Sequence, residues 1–495
     1  MSIWWLTLPL SVALLAYLSR LPPATKVPPH FASTPSIMDW APLIPFPMAL
    51  HGPDADGHRG EAVHLDATPE VEMVAIGDAG AHPGEEGYTI RFQGQHKIKI
   101  EAATARGAFY ASETLRQLRW SSSPVPVGTT LRDAPAYGWR GMMLDSCRHF
   151  MPVEFILHVL DEMAHLKLNT FHWHLTEDQA WRIPIAAYPQ LTRDTPFYSK
   201  EDIRTINAHA KARRIQVVPE IEMPGHAMAA LHHFPALSCT GGPFPKVSDQ
   251  WGVFPDVFCA GKEATFTFLE TVLAEVLVLF PDSPMIHVGG DECPTLRWSA
   301  CDDCQKRIKV EELRGADELQ GYFMRRIGRF LQAHGRQMIG WDEILETGAL
   351  PPGTTVMSWR GDGTGGARAV QQGLKAVLCP QTHCYFDHYQ GNSATEPKAI
   401  GGFTPLDKVY TFLPVPADAT FNATEREREL ILGGQANVWT EYMPTAAHAS
   451  YMIFPRLHAL AEALWTAPAQ KDYARFLKAL QTHLSHFPLP HKNVE

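Results

Sequence analysis

Early in the chain, apolar and polar residues alternate with the period of half-buried strands. The stretches 88–92 (YTIRF) and 97–101 (KIKIE) show it, each placing apolar side chains on one face. Over 104–118 the spacing changes to that of an amphipathic helix. Residues 37–135 are therefore expected to form a small α+β domain. Beyond Pro135 the pattern becomes short continuous apolar runs separated by amphipathic stretches. The runs at 141–145, 169–174, 215–220, 285–289, 337–340, 355–359, 375–378 and 431–438 read as strands covered on both faces. Patterns such as 154–165, 264–279 and 317–333 read as the helices between them. Eight strand–helix units predict a (β/α)8 TIM barrel over 136–495, with its chemistry at the C-terminal ends of the strands.

The first residues break this texture. Residues 3–18 (IWWLTLPLSVALLAYL) are almost wholly apolar, and a Pro-rich stretch follows. The run is short for a membrane span, which needs about 20 residues. Its length suits the core of a secretory signal, although no Lys or Arg precedes it and no A-x-A site follows. Residues 1–21 are expected to be a signal peptide or an uncleaved anchor, 22–36 a linker, and the protein exported. Cys239 and Cys259 flank a Gly/Pro-rich loop that a disulfide could staple. Cys301 and Cys304 have metal-knuckle spacing, but lacking a second such pair nearby they read as a local disulfide or thiol pair. Asn422-Ala-Thr424 is a glycosylation sequon, meaningful only in a eukaryotic chain. A net charge of −10, with no basic run, argues against a nucleic-acid partner.

The predicted strand ends collect one kind of chemistry. The first ends at Asp145 with Arg148 beyond it, and the second runs through His172, His174, Glu177, Asp178 and Arg182. The third carries Glu220, Glu222 and His226; the fourth carries His287 and Gly289-Gly290-Asp291-Glu292. Trp341, Trp359 and Trp439 close the fifth, sixth and eighth, and Glu441 follows the last. Carboxylates, an arginine and indoles at one mouth suit a sugar. Four Asp-Glu pairs occur, and only the one at 291 stands at a strand end behind two glycines. Neighbouring residues leaving a strand point different ways, so Asp291 and Glu292 cannot flank one bond as acid and nucleophile. They suit an acid beside a carboxylate that holds a reacting group of the substrate.

The motifs RGMMLDSCRHF (140–150), NTFHWHLTEDQAWR (169–182), VVPEIEMPGH (217–226), HVGGDE (287–292), GWDEIL (340–345), VMSW (356–359) and LGGQANVWTEY (432–442) stand in the order found in family 20 glycoside hydrolases. The chain resembles that family, the β-N-acetylhexosaminidases. The resemblance implies an exo-acting, retaining hydrolase of terminal β-linked N-acetylhexosamines that needs no cofactor or metal. It implies Glu292 as general acid and base, and Asp291 as the carboxylate that steadies the acetamide as it closes to an oxazolinium ion. His226 would link Glu177, where many relatives carry Asp, to the acid. Arg148 and Glu441 would hold sugar hydroxyls, Trp341, Trp359 and Trp439 would wall the pocket, and Tyr410 would donate to the acetamide oxygen. The partner is then a glycan; a homodimer is allowed but has no interface signature. Two other readings remain: a metal-dependent amidohydrolase-type barrel using His172, His174, His226 and His287, and a sugar-binding barrel without catalysis.

Overall fold

The computed structural model describes residues 42–51, 62–63, 65, 69–75, 84–121, 124–415 and 423–487. The expected signal or anchor segment, the linker and Asn422 lie outside them. No helix among the described residues is long and apolar enough to cross a membrane. The chain divides into two compact units. One joins residues up to Gly138 with Met163–Lys167 and everything from Leu457 onward; the other holds Trp139–Glu162 and Leu168–Arg456. The grouping does not follow a single cut near residue 135, because late residues such as Trp465 join the core of the first unit.

In the first unit a five-stranded sheet runs in the order Ala49–His51, Thr130–Asp133, Tyr88–Gly94, Lys97–Ala102, Glu70–Ala75. All neighbours are antiparallel except the last pair. The alternation over 88–92 and 97–101 buries Tyr88, Ile90, Phe92, Ile98 and Ile100 on the core side. Helix Ala105–Leu118 covers them with Ala108, Ala111 and Leu115. Thr104 starts that helix, its hydroxyl accepting from the amides of Arg106 and Gly107. At the end of this core sits a buried ammonium. Lys167 Nζ donates to Asp133 Oδ2 at 2.8 Å and to Tyr88 Oη at 2.7 Å, and lies 4.6 Å from the Trp465 ring centre. A buried lysine needs such partners to stay charged.

The second unit is the predicted barrel. Its closed sheet consists of Trp139–Asp145, Thr170–His174, Gln216–Glu220, Met285–His287, Gln337–Trp341, Thr355–Ser358, Lys375–Leu378 and Ile431–Val438, each parallel to the next. Register decides what meets at the mouth. Asp145 pairs with His174, His174 with Glu220, and Glu220 with His287, so four strand ends stand level. The helices expected around the barrel form over Val153–His165, Glu263–Leu279 and Asp317–Ala333.

The cysteine pairing differs from the sequence expectation. All eight cysteines are free thiols, so neither a 239–259 nor a 301–304 bridge is made. Instead the two local pairs meet across the fold, since an antiparallel bridge between Ser238 and Phe258 closes the loop and carries both its cysteines to Cys301 and Cys304.

Candidate active site

The fourth strand ends at His287, and the backbone then turns sharply. Gly289 and Gly290 take φ of +65° and +95°, and Glu292 follows at +45°. A left-handed non-glycine costs about 1–2 kcal/mol, which the surrounding contacts must offset. A Cβ on Gly289 would stand 1.7 Å from Glu222 Oε1, so only glycine lets the turn pass that carboxyl. Glu222 Oε1 in turn accepts from the Gly290 amide at 3.0 Å. The turn presents Asp291 and Glu292 side by side, with side chains 14% and 41% exposed. Asp291 is nearly enclosed, and Glu292 faces solvent.

Both carboxylates face one nitrogen. His226 Nε2 lies 3.7 Å from Asp291 Oδ2 and 3.6 Å from Glu292 Oε2. On its other side Nδ1 meets Glu177 Oε1 at 2.8 Å and Asp178 Oδ2 at 3.2 Å. Burial works against a charge on His226, yet Glu177 and Asp178 outweigh it and hold its pKa well above the ordinary value. Asp291 is pushed up to about 6, first by burial and then by Glu220, Glu292 and Glu177, against the pull of His226.

Glu177 does more than the sequence pattern indicates. Besides His226 it meets His174 Nε2 at 3.1 Å and Arg148 Nη2 at 3.1 Å. Arg148 also reaches Asp145 Oδ2 at 3.4 Å and lies 5.1 Å from the Trp439 ring centre. Burial opposes its charge, but Glu177, Glu441 and Asp145 hold its pKa well above the usual value. Its Nε has no hydrogen-bond partner among the described residues. Arg182 braces this corner by donating to the carbonyls of Ser146 at 2.7 Å and Cys147 at 2.8 Å. Glu441 is nearly enclosed, and burial raises its pKa against the pull of Arg148.

The indoles occupy different depths. Trp359 is half-buried, donates through Nε1 to Glu343 Oε2 at 2.9 Å, and stacks on Tyr385 with ring centres 6.1 Å apart. Trp439 is buried, 5.8 Å from Trp341. Trp341 is only 1% exposed, and its Nε1 donates to Glu220 Oε1 at 2.9 Å. It therefore backs the site from the barrel interior. Tyr410 is buried in the short helix Leu406–Tyr410, and the tyrosine that meets the site's indoles is Tyr385.

Three residues escaped the sequence reading: Glu343, Tyr385 and Asp387. Glu343 is pushed up to about 8 by burial and by Asp291 and Asp342. Asp387 is buried near Glu441 and Arg148, and its pKa is raised by burial first and Glu441 next. Its signal was the acid closing the aromatic run Tyr385-Phe386-Asp387 soon after the seventh strand.

The histidines proposed as metal ligands in the amidohydrolase reading are used otherwise. Glu220 gathers His172 Nε2 at 3.0 Å, His287 Nδ1 at 2.7 Å, Trp341 and His174 around one carboxylate. His172, Glu220 and His287 are fully buried, whereas a catalytic zinc keeps a position open to water or substrate.

Comparison with known proteins agrees with this geometry. Residues 137–468 match the model described as glycosyl hydrolase family 20, catalytic domain, and residues 43–134 match glycosyl hydrolase family 20, domain 2. The chain belongs to glycosyl hydrolase family 20. It is 45% identical over 442 residues to a beta-hexosaminidase of Porphyromonas gingivalis, which covers 84% of this chain and 56% of that protein. A beta-hexosaminidase of Vibrio furnissii is 34% identical over 76% of this chain and 65% of its own length. The family 20 chain thus spans less than two thirds of either relative. Among solved structures it is similar to the GH20 exo beta-N-acetylglucosaminidase of Vibrio harveyi in complex with N-acetylglucosamine. The TM-score is 0.77 at 27% identity, covering 95% of this chain and 81% of that one.

Proposed function

We propose that this family 20 protein is an exo-acting β-N-acetylhexosaminidase that works with retention through its substrate's own acetamide. The observation that carries the reading is the Asp291-Glu292 turn: adjacent carboxylates, one enclosed and one exposed, both within 4 Å of His226 Nε2. In this reading one carboxylate gives a proton and its neighbour faces a positive charge. The relatives' names support the substrate class.

In this scheme the terminal sugar rests against Trp359 and Trp439, with hydroxyls on Arg148 and Glu441. The acetamide oxygen attacks the anomeric carbon as Glu292 protonates the glycosidic oxygen and the bond to the leaving sugar breaks. Asp291 accepts from the acetamide N–H and stabilises the developing oxazolinium charge, an electrostatic contribution to the transition state. Water then attacks the anomeric carbon, giving its proton to Glu292, and the ring opens to the acetamide. Two inversions give net retention.

Glu292→Gln should lower kcat by about a thousandfold or more while leaving Kd near wild type, as loss of a general acid predicts. A thiazoline analogue of the oxazoline should inhibit competitively. Proton NMR of the first-released sugar should show the β anomer. An α anomer would refute substrate assistance, and release of acetate in place of sugar would favour an amidohydrolase.

A further inference from the structure

Away from the mouth, four thiols stand together. Cys259 Sγ lies 3.7 Å from Cys301 Sγ and 3.5 Å from Cys304 Sγ, and Cys239 Sγ lies 3.7 Å from Cys304 Sγ. All four sulfurs fall within 4.8 Å of one another. Cys259, Cys301 and Cys304 are buried, and Cys239 is half-buried. We propose that these four cysteines form a structural zinc site, a tetrathiolate clasp between the loop after the third barrel strand and the segment after Glu292.

The distances suit a shared cation better than two bridges. Four sulfurs at about 2.3 Å from a tetrahedral zinc stand about 3.8 Å apart, whereas a disulfide needs about 2.05 Å. Cys259 approaches two other sulfurs almost equally, which a one-to-one pairing does not require. The backbone is shaped for the cluster as well. A Cβ on Gly261 would stand 2.2 Å from the Asp303 carbonyl carbon and 2.3 Å from the Cys304 amide nitrogen, so the two ligand loops touch backbone to backbone. Cys301 stands just before helix Asp302–Val310 and Cys304 lies in its first turn, where unpaired amides favour thiolates. An all-sulfur set with no open position is the mark of a structural site.

The clasp would steady the candidate acid. Between Glu292 and Cys301, Arg297 pairs with Asp256 at 3.0 Å and Trp298 Nε1 donates to the Phe258 carbonyl at 3.0 Å. Zinc would fasten the far end of that same segment. The assignment does not depend on the proposed reaction, and metal content reads it directly.

Elemental analysis of the full chain, isolated under reductant and freed of loose metal, should give about one zinc per chain. Cys304→Ser and Cys239→Ser should both lose it, the second with least disturbance because its side chain is half-exposed. Cobalt exchanged into the wild-type protein should give intense thiolate-to-metal charge-transfer absorption with tetrahedral visible bands. Release of the zinc by a mercurial should shorten the half-life of thermal inactivation several-fold. Isolated protein with no metal and all eight thiols titratable in denaturant would overturn the proposal. Four thiols missing as two disulfides would overturn it too, and iron in place of zinc would refute the metal assignment.

Discussion

In the proposed scheme Asp291 must carry charge at a place that resists it. Its carboxyl is pushed up to about 6, chiefly by burial. Set against an ordinary value of 3.8, that corresponds to at most about 3 kcal/mol of instability in the ionised form. Because the folded pKa is raised, the stability given by the protonated form is complete below about pH 4 and is lost as pH rises through 6. Asp291→Asn stays neutral throughout. It should therefore unfold at higher temperature than wild type at pH 7, and the two should converge near pH 4. The same change should lower kcat/KM by at least about a hundredfold and abolish the acid limb expected of wild type near pH 6. Calorimetry at both pH values and a pH–rate profile check this; no gain in melting temperature at pH 7 would sink it. At this scale the sequence pattern was legible for residues the chain itself sets side by side, Asp291 with Glu292. It was silent on Tyr385 and Asp387, whose relation to Trp359, Arg148 and Glu441 exists only once the barrel closes.

The fourth strand and its turn show how an element aims a side chain. Short apolar runs made the barrel strands readable to within a residue or two, because a strand covered on both faces has little freedom of composition. Register was not readable, and register is what brings Asp145, His174, Glu220 and His287 level. Two glycines before Asp291 let backbone or ligand approach closely. In the folded chain Gly289 makes room for the Glu222 carboxyl. Gly289→Ala adds a methyl where that carboxyl sits and strains a φ of +65°. We expect a loss of about 2–4 kcal/mol, the sum of left-handed strain and overpacking. Since Glu222 also holds the Gly290 amide, kcat/KM should fall about 10- to 100-fold as Asp291 and Glu292 lose their aim. Urea midpoints and steady-state kinetics would show it; a wild-type midpoint would mean the backbone does not pass Glu222 so closely.

The whole chain folds its early and late parts into one unit, which no local pattern announces. Residues 42–48 are stitched to residues beyond 457: Phe46 N donates to Glu462 Oε2 at 3.0 Å, Arg475 Nη1 to the Leu43 carbonyl at 3.0 Å, and His483 Nε2 meets the Pro42 carbonyl at 2.6 Å. Glu462 is fully buried, and Arg475 is its ion-pair partner. Removing one partner of a buried pair leaves a charge that water cannot reach, at a cost of about 3–5 kcal/mol. Arg475→Met should therefore destabilise by about that amount, while Glu462→Gln combined with Arg475→Met should recover much of it. Ending the chain after Thr466 is a harsher change, because the fully buried Phe476, Ala479 and Leu480 also leave the core. Burial of a Phe or Leu contributes about 1.5–3 kcal/mol each. Added to the orphaned Glu462, the loss reaches the 5–15 kcal/mol that holds an ordinary domain folded. The truncated chain should then be recovered aggregated or protease-sensitive although every barrel strand and site residue remains. A soluble, active truncation with the wild-type melting temperature would show that the late helices are dispensable to the unit they complete.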